Sequence, residues 1–72
     1  MGKLKVFSSK TLCDLLKRHD FKIIRQKGSH IVLQRKLNDD TYTAIVPNHK
    51  EIKRGTLVSI IRQSGLDKKI FE

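Results

Sequence analysis

The sequence predicts an α+β fold, a single small domain over residues 1–72 in which two helices cover one face of a three-stranded antiparallel sheet. Three observations predict it. Apolar residues recur at helical spacing near both ends of the chain, and the middle alternates with the two-residue period of strands. Two turn dipeptides, Lys27-Gly28 and Asn38-Asp39, divide that middle into three segments. The order is α-β-β-β-α.

Each element has a local cause. Ser8 or Ser9 caps a first helix whose Leu12, Leu15 and Leu16 share a face, and Phe7 is placed to pack on Leu12 as a hydrophobic staple. That helix ends near His19 and Asp20. Strands follow over Phe21 to Gln26, Ser29 to Lys36 and Thr41 to Val46, and Pro47, which has no N–H for a ladder, stops the third. A second helix runs from Arg54 to Gln63 with Leu57, Ile60 and Ile61 inward, and Gly65 terminates it.

Alternation fixes the faces of the middle strand. Ile31, Leu33 and Arg35 share one side, while His30, Val32, Gln34 and Lys36 share the other. Two-residue turns at the two dipeptides pair Ile31 with Ile24 and Val46, and Leu33 with Ala44. The expected core is therefore Leu12, Leu15, Leu16, Ile24, Ile31, Leu33, Ala44, Val46, Leu57, Ile60 and Ile61. Tyr42 falls on the helix side beside Arg35, in a packing role. His30 points to the open face, opposite Arg25, and cross-strand neighbours about 5 Å apart at Cβ can both reach one phosphodiester.

Composition bounds the function. A chain of 72 residues buries only about 60% of the surface that its unfolded form exposes, which argues against a deep enclosed active site. Sixteen lysines and arginines against seven acids give a net charge of +9, and a balance so basic favours a polyanionic partner, nucleic acid first and an anionic membrane surface second. The longest apolar runs, such as Ile31 to Leu33, are too short to span a bilayer. Met1 to Lys10 has no continuous apolar segment and does not read as a signal peptide, so the expected location is the cytoplasm. The single Cys13 forms no internal disulfide and no zinc site, and reads as a small buried hydrophobe.

The stretch RQKGSHIVLQRK, residues 25 to 36, sets His30 just past a glycine turn between basic residues. On residue physics alone, an exposed strand histidine is most often a solvated surface group. The segments RQKGSHIVLQ, IVPNHKEIKRGTLVSIIRQSGL and SSKTLCDLLKRHDF, in that spacing, resemble the HicA family, the YcfA-like mRNA interferase toxins of toxin-antitoxin modules. The resemblance spans most of the chain. It implies a fold like that of a double-stranded RNA-binding domain and an essential histidine after the Gly-Ser pair, which here is His30. Many members have a second histidine where this chain has Ile31, and a glycine at the end of the first helix where it has Asp20.

The implied chemistry is cleavage of an RNA phosphodiester by a toxin that inhibits translation and growth. RNA carries its own nucleophile in the 2′-hydroxyl, so the enzyme needs a base, an aligned attack and positive charge for the transition state. No carboxylate cluster or His-Cys constellation offers a metal site, and neither a metal nor another cofactor is expected. His30 is the expected base, with Arg25, Lys27, Gly28 and Ser29 as candidates to hold the phosphate. Lys22, Lys36, Lys53 and Arg54 are candidates to bind RNA, the last two because they precede a helix whose amides can hold phosphate. His49 matches a recurring family position as a possible auxiliary. The resemblance also implies a HicB-type antitoxin partner, expected to mask the His30 face, and no membrane partner. A non-catalytic double-stranded RNA-binding module shares the topology and is the alternative reading. A protein-interaction subunit is a further one, and it explains the positive charge only if its partner is acidic.

Overall fold

Ser8 starts the first helix through a reciprocal pair of capping hydrogen bonds with Thr11. Its Oγ accepts from the Thr11 N–H at 3.1 Å, and the Thr11 Oγ1 accepts from the Ser8 N–H at 2.9 Å, so two otherwise orphaned donors are satisfied. The computed structural model describes residues 3–72; Met1 and Gly2, the start of the stretch weighed as a signal peptide, lie outside the described residues. The elements are α1 (Ser9–Arg18), β1 (Lys22–Lys27), β2 (His30–Leu37), β3 (Asp40–Pro47), α2 (Arg54–Ser64) and a 3₁₀ turn over Lys68–Phe71. The three strands form an antiparallel sheet in the order β1-β2-β3. Among the described residues, no helix is long and apolar enough to cross a membrane.

One core lies between the helices and a single face of the sheet. Leu12, Cys13 and Leu16 of α1, Leu57 and Ile60 of α2, and Ile31, Leu33, Ala44 and Val46 of the sheet are all buried in it. Leu15 and Ile61 are half-buried at its margin. Phe7, Phe21, Ile52 and Phe71 complete it from the connecting segments and the 3₁₀ turn. The chain turns out of α1 through Asp20 at φ +72, and α2 ends at Gly65 with φ +68, so both helices close on a left-handed residue.

The pairing of β2 with β3 is the predicted one, Ile31 with Val46 and Leu33 with Ala44. The pairing of β1 with β2 is not. The first hairpin turns on Gly28-Ser29 rather than Lys27-Gly28, because Gly28 at φ +58 occupies the first central position of the turn, where an L side chain is strained. Lys27 therefore stands opposite His30, and Arg25 opposite Val32. The expected pairing of Arg25 with His30 is thus corrected by two residues along the ladder.

A bulge between Ile23 and Arg25 then corrects the expected core. Ile24 is the extra residue and Ile23 takes the place opposite Leu33; on this edge strand both are exposed, at 50% and 43%. The bulge reverses the alternation of the residues before it and turns Phe21 onto the helix face, where its ring is buried. Burying a phenylalanine ring is worth about 1.5–3 kcal/mol, more than leaving Ile24 half-covered forfeits. Arg35 caps this end of the core. Its guanidinium carbon lies 4.8 Å from the Tyr42 ring centroid and 5.6 Å from that of Phe21, and its Nη2 donates to the Ser64 carbonyl at 3.4 Å. Stacked against two rings and the carboxyl end of α2, Arg35 serves packing.

Candidate functional site

His30 opens β2 directly after the Gly28-Ser29 turn, and its side chain is exposed on the face that the helices leave uncovered. The turn is fixed from two sides. Lys27 pairs with His30 across the hairpin, and the Ser29 carbonyl accepts a hydrogen bond from the Asn48 N–H at 2.6 Å. His30 in turn pairs with Pro47 on β3.

The loop after β3 is built against α1. The Ser9 N–H donates to the His49 carbonyl at 3.0 Å, the Ser9 hydroxyl to Asn48 Oδ1 at 3.1 Å, and the Ile52 N–H to the Phe7 carbonyl at 2.8 Å. The first turn of α1 therefore carries the Pro47-Asn48-His49 segment, and that segment is bonded to the backbone just before His30.

His30 stands on the shared rim of two open concavities. One, of about 570 Å³, is bordered by Arg25, Lys27, Gly28, Ser29, Val32 and Ile45 as well as His30. The other, of about 600 Å³, is bordered by His30, Ile45, Pro47, His49, Glu51, Lys53 and Thr56. Both are shallow surface features suited to an extended polymer. The phosphate-holding candidates thus gather on one side of His30, and His49 with Lys53 on the other. Arg25, opposite Val32, is a diagonal neighbour of His30, about 7–8 Å away at Cα in an ordinary ladder and within reach of a long side chain.

The remaining candidates lie elsewhere. Lys22 and Lys36 border a separate concavity of about 620 Å³ with Lys17, Asp20, Phe21, Ile24 and Gln34. Lys36 follows His30 by six positions along β2, about 20 Å at a rise of about 3.3 Å per residue. Arg54 borders another pocket with Leu4, Lys5, Val6, Glu51, Ile52 and Leu57. Cys13 is buried and takes no part; burial pushes its thiol up, against a smaller opposite pull from Lys17 and with a smaller push from Asp14.

Sequence reasoning did not find Pro47, Ile45, Glu51 or Thr56 as neighbours of His30. Pro47 and Ile45 carry a local signal, since the predicted register of β2 with β3 sets Pro47 opposite His30 and Ile45 opposite Val32 on the open face, where Ile45 is 43% exposed. Glu51 and Thr56 are brought in by the loop and by the docking of α2.

Compared with known families, residues 9–66 match the family described as "HicA toxin of bacterial toxin-antitoxin". No curated protein matches the chain.

Proposed function

The chain belongs to the HicA toxin family of bacterial toxin-antitoxin systems, and from that premise we propose that it is an mRNA interferase, an endoribonuclease that cuts RNA with His30 as general base. The observation that carries the reading is the position of His30. It is a solvent-facing imidazole on a hydrogen-bonded turn, on the rim of two shallow concavities that also hold Arg25, Lys27 and Lys53.

In this mechanism RNA lies across the open face with one phosphate at the hairpin end. His30 takes the proton of the 2′-hydroxyl, which attacks the adjacent phosphorus. Lys27, directly across from His30, and Arg25, its diagonal neighbour, offset the charge that builds on the phosphoryl oxygens. Exposed Gly28 and Ser29 leave the turn open to a phosphate. Base catalysis supplies about 10²- to 10⁴-fold, and alignment and cations supply the rest. The reaction calls on no metal and takes place in the cytoplasm, where mRNA is. Lys22, Lys36 and Arg54 extend the basic surface toward flanking nucleotides.

A toxin of this family implies an antitoxin partner. The most direct silencing is occlusion: an acidic surface of a HicB-type protein laid over His30, Arg25 and the neighbouring lysines, with charge complementarity speeding capture.

The test is incubation of the purified chain with mixed single-stranded RNA in EDTA, beside His30→Ala. Cleavage by the wild type and its loss in the variant, with RNA binding retained, support the reading. Undiminished cleavage by His30→Ala overturns the assignment of the base, and cleavage that EDTA abolishes overturns metal independence. The alternative of a non-catalytic RNA-binding module draws on α2, whose first amides have no side-chain cap beside exposed Lys53 and Arg54. Binding without any cleavage would favour it.

A further inference from the structure

The second concavity beside His30 holds a group that a single-base mechanism leaves unused. His49 is exposed and borders the same 600 Å³ space as His30. The two backbones are joined rather than merely near, because Asn48, which precedes His49, donates to the carbonyl of Ser29, which precedes His30. His49 is held from its other side by the bond from the Ser9 N–H to its carbonyl. Two imidazoles border one open space, each on an anchored segment, and a transesterification has a use for two: one proton must leave one oxygen while another arrives at the oxygen across the phosphorus.

We propose that His49 is the general acid of this site and protonates the departing 5′-oxygen while His30 deprotonates the 2′-hydroxyl. This rests on the ribonuclease reading above. The O2′–P bond forms as the P–O5′ bond breaks. One proton passes from the 2′-oxygen to His30, and one from His49 to the 5′-oxygen. The products are a 2′,3′-cyclic phosphate and a 5′-hydroxyl, no water is consumed, and solvent exchange restores both imidazoles.

The other groups around this space are poorer donors. Lys53, Glu51 and Thr56 are of residue types that serve as general acids less often than histidine does. Lys53 is left to hold the phosphate. His30 keeps the base role assigned above, and His49, across His30 from Arg25 and Lys27, takes the other.

The test begins by mapping a cut in mixed RNA with the wild-type chain. That oligonucleotide is then made with sulfur in place of the bridging 5′-oxygen at the mapped bond, since a thiolate leaves without protonation. On ordinary RNA, His49→Ala should lose about 10²- to 10³-fold, the scale of acid catalysis. On the sulfur-bridged RNA it should return to about tenfold of the wild type or better, while His30→Ala stays inactive on both. Wild-type products should carry cyclic phosphate and 5′-hydroxyl ends. A His49→Ala variant as fast as wild type on ordinary RNA overturns the proposal. So does one that the sulfur fails to restore, which would leave His49 a binding or positioning residue. Cleavage leaving 5′-phosphate ends overturns it as well. If the wild-type chain cuts no RNA, the ribonuclease reading itself fails, which is a different result from an unrescued His49→Ala.

Discussion

Phe21 and Ile24 exchange the places that strict alternation would give them, and the exchange can be measured. Phe21 is 2% exposed and lies under Arg35, while Ile24 is 50% exposed on the bulge. Truncating a buried phenylalanine leaves a cavity and costs about 3–5 kcal/mol, a large share of the stability of any small domain. Phe21→Ala should therefore lower the urea midpoint severely or unfold the chain, and Phe21→Leu should fall between it and the wild type. Ile24→Thr should stay within about 0.5 kcal/mol of wild type, as ordinary surface changes do. A larger loss for Ile24→Thr than for Phe21→Leu would contradict the bulge.

At the scale of elements, two left-handed glycines do different work. Gly28, at φ +58 with open space around it, makes the hairpin that presents His30. Gly65, at φ +68, ends α2 where the Tyr42 ring crosses it, and a Cβ there would stand 2.5 Å from Tyr42 Cε1. An alanine at either site meets backbone strain of about 1–2 kcal/mol, and Gly65→Ala adds the collision with the ring. Denaturant melts should rank Gly65→Ala as the more destabilised. Tyr42→Ala in the same chain should relieve part of that excess, a coupling that a double-mutant cycle reads directly. RNA cleavage per folded molecule should fall the other way, because only the Gly28 change alters the turn beneath His30. Equal losses of activity from both would argue that the hairpin does not set the site.

At the scale of the whole molecule, the proposed function makes charge the determinant of how RNA and antitoxin are captured. With a net charge of +9, RNA binding should release counterions. For single strands log K falls with log salt by about 0.7 per neutralised phosphate, so three to five contacts predict a slope of about −2 to −3.5. A flat response would mean that the basic surface is only solvated. If the antitoxin occludes the open face, RNA and antitoxin should exclude one another in competition, and Arg25→Glu should weaken both. A stable ternary complex with RNA still at His30 would rule occlusion out.

The sequence by itself determined the α-β-β-β-α order, a cap at Ser8 or Ser9, the Gly65 stop, the second hairpin at Asn38-Asp39 and the exposure of His30, because each follows from a signal within a few residues of its effect. Period and turn chemistry are local properties of a chain. The register of β1 is not. Ile23 and Ile24 are equally apolar neighbours, so alternation cannot say which one faces the helices, and only the burial of Phe21 and its packing under Arg35 decide for the bulge. The same limit applies to the site. Gly28, Ser29 and His30 were legible as a contiguous motif, and Pro47 opposite His30 follows from the second hairpin, whereas the approach of His49 and Thr56 depends on the loop binding α1 and on the docking of α2. Those contacts exist only once distant segments close on one core, and no local signal encodes them.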